Sequence, residues 1–487
     1  MAREASIAQL LAALEKGRLS CRELVEEGLA RCEALDDRGP ALRAVITVNP
    51  EAGRIAAKKD AEFRRSRRLS GPLHGITVAV KDNYDTTDMP TSAGTLALKN
   101  SRPRVESTVT RKLRGAGAIL LYKTNLHELA HGGVTVSSLR GQTKNPYDLT
   151  RTPGGSSGGT GAAVAAGYAV AGLGSDTLNS IRSPASANSL VGLRPTRGLV
   201  SRAGVIPVSE TMDAAGPITR CVADAARLLD VMVGYDPLDP STARSVGNIP
   251  ATYTAFTGGR LLKGVRIGVP RTLFGSGTAH AEVNAAMEKA IALFARLGAK
   301  LVEIAAPELD TVRIEAECDV HGWEFKPLLE GYLAGLGTRA PVKNLDELIS
   351  GGGYHKPSQE SFLKSLQSMR APLEDPEYLV RLARIEPLRG RLHAVMDGLD
   401  MLLYPHQKIL VMPIGGYAQP ERNGVLAAIT GFPALTIPAG FSRPSETAPL
   451  GVPIGMDLLA RPFQEPLLFR AAAAFERAAK VRRPPRL

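Results

Sequence analysis

The sequence predicts an α/β fold in which a β-sheet is covered by helices on both faces. After residue 71, short β-rich runs alternate with helical patterns, which is typical of a covered sheet. Residues 1–70 have helical periodicity only, and residues 234–399 carry long helical patterns between glycine- and proline-rich turns. Sheet-like runs return after residue 400. We therefore expect one interrupted domain rather than two domains in series.

The helical lead-in, residues 1–70, contains three amphipathic patterns. They cover residues 6–14, 21–35 and 51–68, with Gly17 and a cap-like Ser20 between the first two. We assign residues 71–233 and 400–487 to the α/β core. Residues 234–399 are expected to form a mostly helical insertion or cap that shapes a pocket.

Within the core and the insertion, periodicity and turn residues locate the elements. The predicted strands are residues 76–81, 116–123, 401–405, 435–438 and 453–459. The predicted helices are residues 109–115, 125–131, 160–171, 280–297, 376–399 and 467–480. The helix at 160–171 is rich in alanine, so we expect it to be buried.

Composition is that of an ordinary globular protein and excludes a disordered or fibrous chain. Of 487 residues, 44% are hydrophobic and 22% are charged, with a net charge of +12. The basic residues at 58–68 and 480–486 lack interleaved aromatic residues apart from Phe63, which favours a solvated helix face over a specific nucleic-acid surface. The longest apolar stretch, residues 162–174, is shorter than the roughly 20 residues that span a bilayer. No membrane association or secretory signal is expected.

Four cysteines lie far apart in the chain, without the spacing of metal ligands. They predict reduced thiols and hence a cytoplasmic location.

One sequence motif allows a zinc site. His127, Glu128 and His131 match H-E-x-x-H, in which two imidazoles on one helical face bind zinc and the carboxylate activates water. No third ligand is evident at the spacing that such sites use. We therefore favour ordinary histidines at the end of a helix and expect no metal.

A second motif allows a hydrolase nucleophile elbow. The segment GGSSG, residues 154–158, satisfies G-x-S-x-G. That motif requires a strand that runs directly into the serine, whereas the preceding residues, TKNPYDLTRTP, hold two prolines and no apolar run. The nucleophile elbow is therefore disfavoured.

The third interpretation joins Lys81, Ser156 and Ser180. A serine hydroxyl is a weak nucleophile at neutral pH and needs a base nearby. Lysine can serve as that base only when burial or its neighbours lower its pKa from the usual ~10.4. Because Lys81 ends the apolar run ITVAV, such burial is plausible.

Several motifs in order resemble the amidase signature family. They are GPLHGITVAVKDN, TPGGSSGGTGAAVAAG and GLGSDTLNSIRSPASANSLVGLRPTRGLVSRAGVIP, followed by AAITGFPALTIPAGF and GVPIGMDLLARPF. The resemblance covers residues 71–234 and 424–476. It implies a large mixed β-sheet with helices on both faces and a triad in which Ser180 is the nucleophile. Ser156, with a cis peptide bond, would relay a proton to the general base Lys81.

The resemblance also implies an oxyanion hole, and here the sequence departs from the family. The usual Asp-Thr-Gly-Gly-Ser is replaced by DTLNS at residues 176–180. The implied donors are the backbone N–H groups of Thr177, Leu178, Asn179 and Ser180. Leucine tolerates a left-handed backbone poorly, so either position 178 is not left-handed or the hole is reshaped. The apolar Leu178 side chain favours a bulky or aromatic substrate, whereas the family pattern alone fits a small aliphatic amide equally well.

Five further residues are expected around the triad. Ser157 and Arg182 resemble the family's supporting hydrogen-bonding residues, and Gly132, Gly133 and Val134 are expected to line the substrate pocket.

The predicted reaction is hydrolysis of a carboxylic amide, or of a related anilide, ester or carbamate, through an acyl-enzyme. It needs no cofactor, and the chain is expected to act as a monomer or homodimer on a small molecule. The alternatives are a glutaminase subunit of a tRNA-dependent amidotransferase, a catalytically inactive binding protein, and the zinc hydrolase considered above.

Overall fold

The computed structural model of this chain describes residues 4–487, so the first three residues of the predicted lead-in lie outside it. Its strands, in chain order, are β1 Val45–Val48, β2 Thr77–Lys81, β3 Ile119–Thr124, β4 Val136–Ser137, β5 Gly141–Gln142, β6 Ala171–Asp176, β7 Val191–Arg194, β8 Ala214–Thr219, β9 Arg266–Pro270, β10 Lys300–Ile304, β11 Met401–Pro405, β12 Ala434–Phe441 and β13 Pro453–Ala460.

The α-helices surround these strands. In chain order they are α1 Ile7–Glu15, α2 Cys21–Cys32, α3 Ala52–Ser66, α4 Thr108–Gly115, α5 Gly158–Ala165, α6 Arg182–Ala187, α7 Val222–Met232, α8 Ala281–Arg296, α9 Thr311–Cys318, α10 His321–Leu336, α11 Leu345–Ser350, α12 Lys356–Gln367, α13 Pro376–Val395, α14 Val425–Thr430 and α15 Glu465–Ala479. None of the helices within residues 4–487 combines the length and the apolar character needed to cross a bilayer.

Eleven of the described strands form one mixed sheet, in the order β1-β3-β2-β6-β8-β7-β12-β13-β11-β9-β10. Strand β2 lies between β3 and β6 and is parallel to both. From β6 to β11 each neighbouring pair is antiparallel, and β9 is parallel to both β11 and β10. The large mixed sheet expected from the sequence is thus confirmed.

The centre of the sheet is buried because its strands carry apolar or small residues on both faces. Every residue of β2 and β6 is buried, as is all of α5. Helix α5 approaches β6 closely: a Cβ at Gly172 would lie 2.3 Å from the Thr160 methyl carbon. Glycine at this position therefore permits the contact between helix and strand.

The predicted insertion, residues 234–399, is helical over most of its length but also completes the sheet. Strands β9 and β10, connected by α8, add to the edge beyond β11. Helices α9 to α13 follow this strand–helix–strand unit.

Two predicted helices need correction. Residues 125–131 are not an α-helix, since after β3 only a single 3₁₀ turn forms, at Glu128–Ala130, with Leu129 at φ 55°. The helix predicted at 160–171 ends at Ala165, and β6 begins at Ala171. Gly167, at φ 78°, lies in the turn between them, a conformation that glycine adopts without steric cost.

Candidate active site

The parallel pairing of β2 and β6 brings together residues almost a hundred positions apart. Val80 pairs with Leu173, so the carboxyl ends of the two strands lie at the same edge of the sheet. Lys81 is the last residue of β2, and Ser175 is the penultimate residue of β6. The segment that carries Ser180 starts directly after β6.

Lys81 is fully buried and its ammonium group contacts only neutral acceptors. Its Nζ lies 2.7 Å from Ser156 Oγ, 2.8 Å from Ser175 Oγ and 3.3 Å from the Ser175 carbonyl oxygen. Burial lowers the pKa of Lys81 to about 7, against the opposing effect of the Asp213 and Asp176 carboxylates. A substantial fraction of Lys81 is therefore neutral near pH 7 and able to accept a proton.

The peptide bond between Gly155 and Ser156 is cis, as the family resemblance implies. The Ser156 carbonyl oxygen accepts a hydrogen bond from the His127 N–H at 2.9 Å, and Thr135 Oγ1 donates to the Gly154 carbonyl at 2.7 Å. A Cβ at Gly155 would lie 2.7 Å from the carbonyl carbon of Gly133. Backbone contacts on both sides thus fix the position of Ser156.

Ser180 lies beside this segment and reaches an open cavity. The Ser157 N–H donates to the Ser180 carbonyl oxygen at 3.2 Å, so the two serine segments are in backbone contact. Ser180 is 8% exposed and lines the cavity, whereas Ser156 and Ser157 are completely buried. Ser180 is therefore the member of the predicted triad that a substrate can reach.

The backbone of residues 177–180 is suited to stabilising an anion. None of these residues has a positive φ, so position 178 is not left-handed and leucine is tolerated there. Their N–H groups donate to no acceptor within the described chain. The carbonyls of Leu178, Asn179 and Ser180, by contrast, all accept hydrogen bonds. Unpaired N–H groups beside a serine hydroxyl are the donors that an oxyanion hole requires.

The side chain of Arg182 contacts the loop of residues 177–180 and links it to the sheet. Its fully buried guanidinium donates to the Asp176 carboxylate at 3.1 and 3.2 Å, to the Asp457 carboxylate at 3.3 Å and to the Leu178 carbonyl at 2.7 Å. Arg194 donates to Asp176 at 2.9 Å from the other side. The two guanidinium groups hold the pKa of the Asp176 carboxyl well below its usual range. The predicted supporting role of Arg182 fits these contacts.

The cavity above Ser180 has a volume of about 260 Å³. Its lining residues come from five separate parts of the chain: Ala130, His131, Gly132, Gly133, Thr177, Leu178, Ser180, Val208, Glu315, His321, Tyr417, Ala418, Gln419, Pro420 and Arg422. Of the predicted pocket residues, Gly132 and Gly133 line the cavity but Val134 does not. Val134 is fully buried behind them, where its N–H donates to His127 Nδ1 at 3.2 Å.

The H-E-x-x-H segment lacks the geometry of a zinc site. Because Leu129 and Ala130 are left-handed, His127 and His131 do not share a helical face. The Glu128 carboxylate already accepts hydrogen bonds from the N–H groups of Ser138 and His355, at 2.9 and 2.8 Å. No three potential metal ligands cluster anywhere in residues 4–487. This geometry disfavours the zinc alternative, although the two histidines do not lie at the end of a helix as the sequence predicts.

Sequence reasoning missed several residues of the site. Ser175 Oγ, a hydrogen-bond acceptor for Lys81, also accepts from Asn83 Nδ2 at 3.0 Å. The motif GLGSDTLNS contains Ser175, but because β6 is not predictable from its residues, no pattern indicates which way this side chain points. Arg422 and Glu315 line the cavity but lie outside the motifs, and no pattern in the sequence indicates them.

Known proteins resemble this chain over almost its whole length. The family model described as Amidase matches residues 23–469. The glutamyl-tRNA(Gln) amidotransferase A subunit from Chloroflexus aurantiacus is 36% identical over 483 residues, covering 96% of this chain and 95% of that protein.

Solved structures agree in fold. Native peptide amidase from Stenotrophomonas maltophilia superposes with a TM-score of 0.88 at 36% identity, covering 99% of this chain and 98% of the other. A bacterial aryl acylamidase superposes with a TM-score of 0.82 over 98% of this chain and 97% of its own, but at 24% identity it shares the fold alone.

Proposed function

This chain belongs to the amidase signature family, and we propose that it hydrolyses the carboxylic amide of a small molecule through a covalent intermediate on Ser180. The observation that carries the proposal is the contact between Lys81 Nζ and Ser156 Oγ at 2.7 Å, in a setting that lowers the pKa of the lysine to about 7. Ser156 contacts the buried base, and the adjacent Ser157 N–H contacts the Ser180 carbonyl, so we propose that Ser156 passes a proton from Ser180 to Lys81.

In the acylation step, neutral Lys81 takes the hydroxyl proton of Ser156 while Ser156 takes that of Ser180. Ser180 Oγ forms a bond to the amide carbon, and the carbonyl electron pair moves to oxygen. The N–H groups of residues 177–180 stabilise this oxyanion, an effect worth about 3 kcal/mol for a single donor in comparable sites. As the oxyanion collapses, the C–N bond breaks, and the proton held by Lys81 returns through Ser156 to the departing nitrogen.

In the deacylation step, a water molecule takes the place of Ser180 as the nucleophile. Lys81 and Ser156 remove a proton from a water molecule, whose oxygen attacks the acyl carbon. The bond to Ser180 Oγ breaks, and Ser180 recovers its proton. The products are a carboxylic acid and ammonia or an amine.

The proposal is tested with a panel of aliphatic amides, anilides, esters and carbamates. We expect the purified chain to hydrolyse at least one class, and both Ser180→Ala and Lys81→Ala to lower kcat by about 10³-fold or more. Ser365→Ala is the matched control, since this exposed hydroxyl on α12 donates only to a carbonyl of its own helix. Undiminished turnover by Ser180→Ala would refute the mechanism.

A glutaminase subunit is the second candidate function, favoured by the 36% identity to one component of an amidotransferase. Its chemistry at Ser180 would be the same, with glutamine as the amide and ammonia passed to a partner protein. Turnover of a simple amide by the isolated chain at a rate typical of enzymes, about 1 per second or more, would disfavour it. Turnover of glutamine alone, and only with a partner present, would favour it.

A catalytically inactive binding protein is the remaining alternative. It predicts no covalent labelling of Ser180 by a fluorophosphonate. We expect stoichiometric labelling instead, which mass spectrometry of the intact protein and of its peptides measures.

A further inference from the structure

The cavity above Ser180 contains a guanidinium group with no close partner. Arg422 lines the cavity together with Ser180 and Gly133, and its side chain is 20% exposed. Its Nη1 lies 3.2 Å from the position that a Cβ on Gly133 would occupy, so the group extends over the glycine wall. Among the described residues, no carboxylate or carbonyl accepts a hydrogen bond from it.

The backbone that carries Arg422 is held in place on both sides. The Lys408 N–H donates to the Glu421 carbonyl at 2.9 Å, and the Asn423 N–H donates to the His406 carbonyl at 2.9 Å. Asn423 Nδ2 adds a bond of 2.8 Å to the Pro405 carbonyl. The guanidinium therefore projects from a fixed segment, as a preorganised binding group should.

The nearest carboxylate compensates this charge only weakly. Glu315 Oε1 lies 3.9 Å from Arg422 Nη2, beyond hydrogen-bonding distance. The buried Arg182, in contrast, makes contacts of 3.1 to 3.3 Å with two carboxylates. Burial lowers the pKa of Arg422 and raises that of Glu315, and the attraction between the two groups opposes both shifts without cancelling them.

The other titratable groups beside Arg422 do not neutralise it. Burial lowers the pKa of His127 to about 3 and that of His131 well below its ordinary value, so both imidazoles are neutral. His321 has a raised pKa, but its Nδ1 lies 2.6 Å from the Asp319 carboxylate, which balances its charge. Asp176 and Asp319 also attract Arg422, but neither carboxylate lies within 4 Å of its guanidinium, which therefore keeps its N–H groups free for a ligand.

We propose that Arg422 binds a carboxylate of the substrate and that the amides this chain prefers are acidic. A carboxylate can accept two parallel N–H bonds from one guanidinium, a strong and specific arrangement that Glu315 does not make. Glu315 acts as a loosely held counterion that the substrate carboxylate replaces. The inference rests on the proposed function, because the same substrate must present its amide to Ser180.

Binding is tested without turnover, in the Ser180→Ala protein, by isothermal titration calorimetry. The probes are ω-amide monoacids of increasing length, from succinamate to adipamate, each paired with a neutral amide in which an isopropyl group replaces the carboxylate; for glutaramate this is 5-methylhexanamide. We expect at least one acid to bind about 10-fold or more tightly than its neutral pair. Equal affinities at every length, or no binding of any acid, would overturn the proposal.

Substitutions at the two charged residues should shift this preference in opposite directions. Arg422→Gln should abolish the preference for the acid, and Arg422→Lys should retain part of it because the charge remains without the planar fork. Glu315→Gln should strengthen binding of the acid several-fold by removing the competing carboxylate. A preference that survives in Arg422→Gln, or weaker acid binding in Glu315→Gln, would contradict the proposal even if one variant folds poorly.

Kinetics separate this inference from the proposed function. With Ser180 intact, Arg422→Gln should raise KM for the acidic amide and lower kcat/KM for that amide at least about 10-fold more than for its neutral pair. Equal loss for both amides would overturn the role of Arg422 and leave the serine mechanism standing. Turnover by Ser180→Ala would instead refute the mechanism and leave the carboxylate preference measurable by calorimetry.

Discussion

Two buried lysines lie near the carboxyl ends of the neighbouring strands β2 and β3, and their electrostatic surroundings differ. Lys123 Nζ on β3 lies 2.9 Å from the Asp82 carboxylate and remains paired. Lys81 on β2 has hydroxyl and carbonyl oxygens around its Nζ and no carboxylate within 4 Å among the described residues. Burial without an adjacent counterion is the physical reason why the pKa of Lys81 is lowered towards neutrality.

The pH dependence of hydrolysis should report the pKa of Lys81. Because that pKa is about 7, the lysine is charged and inactive below it and neutral above it. We expect kcat/KM to rise about tenfold per pH unit below pH 6 and to level off above pH 8. The measurement is a profile from pH 5 to 9 on a chemically stable amide. A profile that falls with rising pH through this range would contradict the role of Lys81.

Replacing Lys81 should raise the thermal stability of the protein, whereas replacing Lys123 should lower it. The folded pKa of Lys81 lies below the value of an unfolded lysine, so protonation favours the unfolded chain at and below pH 7, by roughly 5 kcal/mol. Lys81→Met removes this cost and should raise Tm at pH 7. Lys123→Met leaves the Asp82 carboxylate buried and unpaired and should lower stability by about 3 kcal/mol or more.

Differential scanning calorimetry at several pH values checks both signs. The advantage of Lys81→Met over the parent should shrink as pH rises from 7 towards 10, because the folded and unfolded lysine then bind nearly equal numbers of protons. A lower Tm for Lys81→Met at pH 7 would contradict the assigned direction.

Leu178 should influence substrate size rather than backbone geometry. Its side chain lines the cavity beside Ser180, and its φ is not positive. Leu178→Ala removes apolar surface, so we expect kcat/KM for an anilide to fall about 10-fold, consistent with 1–3 kcal/mol for lost apolar contacts. Turnover of acetamide should change less than 3-fold, and an equal loss for both amides would indicate damage to the oxyanion loop instead.

At the scale of elements, the connection from β6 to α6 depends on ionic contacts as much as on packing. Arg182 joins Asp176 at the end of β6, Leu178 in the loop and Asp457 on β13. It therefore fixes the loop that holds Ser180 against two strands of the sheet.

Removing this guanidinium should cost both stability and activity. Arg182→Met removes one guanidinium partner from each of the Asp176 and Asp457 carboxylates, and we expect a loss of about 3–5 kcal/mol together with at least a 100-fold fall in kcat. Arg22→Met is the matched control, since its guanidinium contacts Glu26 on α2 at the surface and should contribute about 1 kcal/mol or less. Urea unfolding and initial rates test both variants; unchanged kcat in folded Arg182→Met would contradict the positioning role.

Elements with strong periodicity were predictable from the sequence. The run at 401–405 matches β11, and the strand ending at Lys81 differs from the prediction by one residue. Strand β6 was missed because AGLGSD has no β-branched or aromatic residue, so only its pairing with β2 and β8 makes it a strand. The local pattern predicts a helix over residues 125–131, but Leu129 and Ala130 are left-handed in the folded chain and interrupt it.

The site was predictable only where its residues lie in motifs. Lys81, Ser156 and Ser180 stand in segments whose order and composition are distinctive. Arg422 and Glu315 approach Ser180 through the folding of distant segments, so neither periodicity nor composition indicates them.

The cavity above Ser180 lies between the sheet core and the helical segment that follows β10. Its walls come from residues 130–133 and 177–180 in the first half of the chain and from residues 315–321 and 417–422 in the second. A covalent ligand on Ser180 should therefore stabilise segments far apart in sequence.

Hydrogen exchange can test this coupling. After labelling with a fluorophosphonate, we expect slower exchange at residues 315–321 and 417–422 as well as near Ser180, and a higher Tm. Ser180→Ala treated with the same reagent is the control. Protection confined to residues 177–180 would show that the distant walls do not contact the ligand.

Because β2 pairs in parallel with β6, enzymatic activity also reports whether these two strands have paired in the correct register. Side chains alternate between faces along a strand, so a slip of β2 by one residue would turn Lys81 away from Ser156 while leaving strand content and most of the burial intact. Such a molecule would have the circular dichroism spectrum of the native protein but would not turn over substrate. The ratio of recovered activity to recovered ellipticity after refolding therefore measures the fraction of chains in which these two strands have found their correct alignment.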